Sequence, residues 1–136
     1  MAAPELTGIS HLDLSVSDVE ASADWYVRVL GLKRIRRVDL QGRIMIVLFA
    51  PAARLVIGLN EHADRPEGRF DERHVGMDHV GFAVGQREDL DTWEAHLTAE
   101  AVEHSPVEDT ESGSALVFRD PDHIQLEMWW TKPKQA

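Results

Sequence analysis

The chain has 136 residues, with 14 Lys and Arg against 24 Asp and Glu for a formal net charge of −10, no Cys, and 43% hydrophobic residues. Without Cys there are no disulfides, thiolate metal sites or Cys nucleophiles, so any metal must sit on His, carboxylate or carbonyl ligands, and a reducing cytoplasm fits. The negative charge opposes nucleic acid and anionic lipid, and Ile44 to Ala50 falls far short of the roughly 20 apolar residues a membrane helix needs, so neither nucleic acid nor membrane is an expected partner.

The first predicted strand surrounds Leu12-Asp13-Leu14-Ser15-Val16. Period-2 alternation sends Leu12, Leu14 and Val16 to one face and His11, Asp13 and Ser15 to the other. Ser17 or Asp18 can cap a helix running to about Leu30, with Gly31 as its stop. Strands over Leu32–Asp39, Arg43–Phe49 and Arg54–Leu59 follow, with Gly42 marking a hairpin turn and Pro51 a break. The stretch from Asn60 to Val75 is polar and contains Gly and Pro, and reads as a linker or mobile flap.

From Gly76 the pattern starts again. Gly76-Met77-Asp78-His79-Val80-Gly81-Phe82-Ala83-Val84 aligns without a gap on Gly8-Ile9-Ser10-His11-Leu12-Asp13-Leu14-Ser15-Val16 at an offset of 68 residues, and the same offset superposes Trp93 on Trp25. A helix is expected from Arg87 to about Ala99, then strands over Val102–Glu108, Ser114–Arg119 and Ile124–Trp130, with turns at Glu111-Ser112-Gly113 and Pro121. The predicted fold is α+β, in which two βαβββ repeats form a curved, cup-like mixed sheet with helices on its convex side. Repeat one covers about 6–60, the linker about 61–75 and repeat two about 76–131 of a single domain. Trp25 and Trp93 read as core anchors, and Trp129 as either core or cup face.

The repeat puts His11 and His79 at the same position of the same strand. In Ile124-Gln125-Leu126-Glu127-Met128-Trp129, alternation sends Ile124, Leu126 and Met128 beneath a helix and Gln125, Glu127 and Trp129 to the other side. Two imidazoles and one carboxylate on the helix-free face form a three-ligand set for a divalent metal, with positions left open for water and substrate. Ser15, Gly81 and Ala83 leave room beside it. Surface placement suffices to explain His62, His74, His96, His104 and His123.

These residues resemble the vicinal oxygen chelate superfamily, which includes glyoxalase I, methylmalonyl-CoA epimerase, extradiol dioxygenases, fosfomycin-inactivating enzymes and bleomycin-binding proteins. The likeness is carried by Ile9 to Val16, Ala23 to Leu32, Met77 to Phe82, and Phe118-Arg119-Asp120-Pro121-Asp122-His123-Ile124-Gln125-Leu126-Glu127. It implies paired βαβββ modules around a divalent metal (Zn, Ni, Fe or Mn) with ligands at His11, His79 and Glu127, a small-molecule substrate, and a homodimer. It also implies a metal-dependent, glyoxalase-like lyase or isomerase acting on a vicinally oxygenated substrate, in which Glu127 as a displaced ligand, or Glu61, moves the proton.

This sequence departs from the family pattern in several places. Glyoxalase I and the epimerase take a fourth ligand from the last strand of the first module. Here the matching residue is Val56 or Gly58, neither of which ligates, so Glu61, His62 or a partner chain would have to substitute. The Tyr that extradiol dioxygenases carry before the Asp-Pro turn corresponds to Val117. His123 stands where the turn normally has Gly, which requires either positive φ at a His or an altered turn. Arg43, Arg69, Arg73 and Arg119 serve equally as surface charges or as contacts for a thiol cosubstrate. The rival activities are an iron- or manganese-dependent ring-cleaving dioxygenase and a metal-free protein that sequesters a bleomycin-type drug.

Overall fold

A computed structural model describes residues 2–135. It divides into two compact units, the first ending at Pro66 and the second beginning at Glu67. Each unit is a βαβββ module with its own four-stranded mixed sheet.

In the first unit, β1 (Leu12–Ser15) leads into helix α1 (Val19–Leu30), followed by β2 (Lys33–Leu40), β3 (Arg43–Ala50) and β4 (Leu55–His62). The sheet order is β1-β4-β3-β2, with β1 parallel to β4 and the other pairs antiparallel. Alternation divides the sheet cleanly. Leu14, Ile46, Leu48, Ile57 and Leu59 are buried together with Val19, Ala23, Tyr26 and Val29 of α1, which packs on β3 and β4. Asp13, Ser15, Val47, Gly58 and Asn60 take the opposite, helix-free face.

The helix starts where Asp18 accepts the Ala21 N–H at 3.0 Å. It ends at Gly31 in the left-handed region (φ 70°), as expected of a glycine stop. The aromatic anchor of this core is the fully buried Tyr26, whereas the expected Trp25 is half-buried and meets Tyr26 edge-on at 4.9 Å.

The second unit repeats the order with β5 (Val80–Ala83), α2 (Arg87–Ala99), β6 (Glu108–Asp109), β7 (Gly113–Arg119) and β8 (Gln125–Thr131), arranged β5-β8-β7-β6. Leu90 and Leu97 of α2 cover Leu116, Phe118, Leu126 and Met128. Trp93, like Trp25, is only half-buried.

Three expectations need correction. The strand expected over Val102–Glu108 shrinks to Glu108–Asp109 plus an isolated bridge from His104 to Phe118, because Pro106 lacks the N–H that a continuous ladder needs. Strand β4 continues through Asn60 to His62, three residues past the expected end at Leu59 and into the expected linker. From Glu67 on, that segment belongs to the second unit: the Phe70 N–H donates to the Asp122 carbonyl at 3.0 Å, and Glu72 pairs with Arg119.

The unusual turn at His123 is realised with φ 69°. Asp120 holds it, its carboxylate accepting the N–H groups of Asp122 and Ile124 at 2.9 and 2.8 Å.

Candidate metal and substrate site

The second unit assembles the fuller half of the predicted site. His79 immediately precedes β5, and Glu127 lies in β8, where it is the register partner of Gly81 on one side and Val117 on the other. Gly81 carries no side chain to block the Glu127 carboxylate; a Cβ there would stand 3.4 Å from Oε1. His79 Nε2 faces Glu127 Oε2 across 4.0 Å. That gap is too wide for a hydrogen bond, yet narrow enough for one ion with bonds of about 2.0–2.2 Å to reach both atoms. His79, Gly81, Ala83, Glu127 and Trp129 line an open hollow of about 460 Å³.

The orientation of His79 has a visible cause. Its Nδ1 lies 2.6 Å from Asp78 Oδ1. A carboxylate oxygen accepts, so the Nδ1–H donates to Asp78 and the ring turns Nε2 toward Glu127, the outer-partner arrangement that commonly stands behind a metal-ligating histidine. Asp78 is held in turn: Gln125 Nε2 donates to it at 3.3 Å, Arg119 donates to Gln125 Oε1 at 3.0 Å, and Arg119 forks onto both carboxylate oxygens of Glu72 at 2.8 and 3.0 Å. The Arg119 guanidinium lowers the Glu72 carboxyl to about 2. This relay from Glu72 through Arg119, Gln125 and Asp78 to His79 escaped the sequence reading. Asp78 and Gln125 lie 47 residues apart, and their only local signal was position beside a candidate ligand. The thiol-contact reading of the arginines also weakens, since Arg119 holds Glu72 and Arg73 holds Asp71 at 2.6 Å.

In the first unit, His11 precedes β1 as His79 precedes β5, and its Nδ1 lies 2.9 Å from Ser10 Oγ. Glu61 falls on the same face of β4 as the buried Ile57 and Leu59, the face that α1 covers. There its Oε1 accepts the Val19 N–H at 2.9 Å, at the positive end of the helix. The expected proton-moving role of Glu61 therefore meets a structural assignment: it caps α1 on the face opposite Asp13 and Asn60. His62 belongs to β4 rather than to a loop. His104 is structural, with Nε2 2.7 Å from Thr98 Oγ1 and Nδ1 2.7 Å from the Ser105 carbonyl. Among the described residues, no group of three or more His, Asp or Glu side chains is gathered closely enough to hold a metal ion, and the second unit brings together two of the three predicted ligands.

A profile of the glyoxalase/bleomycin resistance protein/dioxygenase superfamily matches residues 8–128. The chain belongs to that superfamily. It is 30% identical over 127 residues to the uncharacterised protein YwkD of Bacillus subtilis, covering 91% of this chain and 97% of YwkD. It is 27% identical over 124 residues to MhqA of the same organism, named as a candidate ring-cleaving dioxygenase; that match covers 89% of this chain and only 39% of MhqA. Among solved structures, a glyoxylase/bleomycin resistance protein/dioxygenase domain from Frankia sp. EAN1pec superposes with a TM-score of 0.89 at 32% identity, covering 96% of both chains. The fosfomycin resistance protein FosX of Listeria monocytogenes, solved with Mn(II) and sulfate, shares the fold at a TM-score of 0.70 and 21% identity, covering 94% of this chain and 95% of FosX.

Proposed function

We propose that the chain is a metal-dependent, glyoxalase-like lyase or isomerase acting on a small vicinally oxygenated substrate, with His11, His79 and Glu127 as protein ligands to a divalent metal ion. The observation that carries the reading is His79 Nε2, fixed by Asp78 and aimed at Glu127 across 4.0 Å. FosX, which shares the fold, binds Mn(II), in keeping with divalent metal use in the superfamily. When bound, the metal supplies positive charge against negative charge developing on a substrate oxygen.

The chain's own residues do the rest. Asp78 accepts the Nδ1 proton of His79 and so holds the ring with Nε2 toward Glu127. Gly81 and Ala83 leave the hollow open to a small substrate, and Trp129 walls it. Glu127 is the carboxylate facing that hollow, and in this reading one of its oxygens takes the proton from a carbon adjacent to a substrate oxygen. Glu61 serves α1 instead.

The test is elemental analysis of purified protein loaded in turn with Zn, Ni, Fe and Mn, combined with deuterium exchange into hydroxyketone substrates. Stoichiometric metal that is lost in His79→Ala and Glu127→Ala supports the reading. A wild-type protein that retains none of these metals overturns it.

A ring-cleaving dioxygenase is the second reading, favoured by the similarity to MhqA and by the open coordination that two His and one carboxylate would leave. Val117, the register partner of Glu127, offers no phenol hydroxyl at the position where such enzymes resemble one another in carrying Tyr. Oxygen uptake with a catechol panel by the iron-loaded protein separates the two activities.

A further inference from the structure

The hollow of the second unit is polar at one end and aromatic at the other. His79 and Glu127 make the polar end, and Trp129, two residues beyond Glu127 on the same face of β8, makes the aromatic one. Two residues along a strand span about 7 Å. Beside them on β5 stand Gly81, the register partner of Glu127, and Ala83, the register partner of Trp129. On β7 the partner of Trp129 is Ala115. The largest side chain of the face thus rises between two alanines.

The indole is held in one orientation. Its Nε1–H donates to Thr131 Oγ1 at 2.8 Å. Its ring edge covers Gly113, the register partner of Thr131; a Cβ at 113 would stand 2.6 Å from Cζ2 and 3.0 Å from Cε2. Both contacts lie on the side of Trp129 away from Glu127, so the ring tilts away from the carboxylate, and the space over Gly81 and Ala83 belongs to the hollow. The scaffold itself does not require a ring here. In the first unit the corresponding row is Ser15, Asn60, Met45, which makes Gly58 the counterpart of Glu127 and Asn60 the counterpart of Trp129. Nor does the core use this indole, since Leu126 and Met128 fill the side beneath α2.

We propose that Trp129 sets the substrate class: the slot over Gly81 and Ala83 takes a planar aromatic ring bonded directly to the oxygenated carbons, with the ring against the indole and the oxygens toward His79 and Glu127. The inference rests on the reading above for the oxygenated end alone. An aromatic pair adds attraction beyond the area it buries, and a mostly apolar slot with a few convergent polar groups is the usual form of a small-molecule site.

The test compares two hydroxyketones that differ only in the group beside the carbonyl, 2-hydroxyacetophenone and hydroxyacetone, by calorimetric titration of the full chain loaded with Zn. The wild type binds the aryl compound about tenfold more tightly than the methyl compound. Trp129→Leu, which keeps apolar bulk without a ring, lowers that ratio to about threefold or less, and Trp129→Phe keeps most of it. Thermal melts monitor folding. If the leucine variant lacks a cooperative melt, the Nε1–H resonance of Trp129, assigned by its loss in Trp129→Phe, reads the contact in the wild type: it shifts with the aryl compound and not with the methyl one. A ratio near one, an unchanged ratio in folded Trp129→Leu, an unmoved resonance or binding of neither compound overturns the aryl assignment; metal retained by the wild type and lost in His79→Ala then leaves the metal reading standing. A chain that retains no metal is titrated without it, and an aryl preference that depends on Trp129 there overturns the metal reading and supports the ring slot.

Discussion

The two units place a histidine one residue ahead of their first strand, yet they restrain it in different ways. His79 is anchored through Asp78 by a relay that continues over Gln125 and Arg119 to Glu72, whereas the Nδ1 of His11 meets the hydroxyl of its neighbour Ser10. A charged acceptor makes a shorter and stronger bond than a hydroxyl: 2.6 Å against 2.9 Å here. The common scaffold thus carries two grades of positioning. The second unit positions its histidine through side chains from three stretches of sequence, and the first through the adjacent side chain of Ser10.

The sharpest way to break this contrast is to remove the charged acceptor in one unit and the hydroxyl in the other. Asp78→Ala should weaken metal binding by about 10–100-fold, because an outer partner fixes both the ring and its tautomer, while Ser10→Ala should change it by less than about threefold. Calorimetric titration of the two variants with one metal gives the ratio. Equal losses would show that the histidines are held equivalently and that the relay is ordinary surface chemistry.

The helices differ in a parallel way. Helix α2 is capped locally, Asp89 accepting the Gln86 N–H at 2.9 Å, whereas α1 adds to its own Asp18 cap a carboxylate from β4, 42 residues away. Glu61→Ala should therefore lower stability by about 1 kcal/mol, within the usual range for losing a side-chain cap, with metal affinity and deuterium exchange unchanged. Urea denaturation reads the first effect. A large loss of exchange activity with stability intact would return the proton-moving role to Glu61.

Acid should reach the relay through Glu72. Its folded-state pKa, about 2, lies below the ordinary 4.5, so the stability it contributes is fully present above pH 4.5 and is lost as pH falls through about 2. The stability difference between wild type and Glu72→Gln should accordingly be constant from neutral pH down to 4.5 and shrink below it. Both partners are partly exposed, so the difference should also fall with added salt. A difference that is flat through pH 2 would mean that Glu72 is not ionised against Arg119.

What the sequence made legible follows from local rules, and what it hid follows from pairing. The alternation of Leu12 and Leu14 with Asp13, the recurrence of His11 as His79, and the glycine stop at Gly31 each depend on a few neighbouring residues, and the structure carries them as expected. Choosing Gly58 over Val56 as the counterpart of Glu127 requires the register of β1 on β4, which spacing alone leaves open. The same gap explains Glu61. Read as the first residue of a linker, it had no face; as part of a strand reaching His62, it shares the helix-covered face with Leu59. Tyr26 displaced Trp25 as the core aromatic because one step along a helix turns a side chain by about 100°, and both residues satisfy the same loose apolar pattern.

The smallest effect concerns the turn before β8, which the sequence marked as unusual and which the structure realises with His123 at φ 69°. A non-glycine residue in the left-handed region carries about 1–2 kcal/mol of steric cost, and glycine removes it. Glycine also enlarges the unfolded ensemble, at about 0.5–1 kcal/mol, so most of the gain is offset. The turn's hydrogen bonds use only the backbone of His123: its N–H donates to the Asp120 carbonyl at 2.9 Å, and its own carbonyl accepts from Arg119 at 3.1 Å. Both survive the substitution. His123→Gly should therefore raise stability by only a few tenths of a kcal/mol, with metal affinity unchanged. A clear loss of stability would mean that the imidazole, and not the backbone conformation alone, holds the turn that aims β8 and its Glu127.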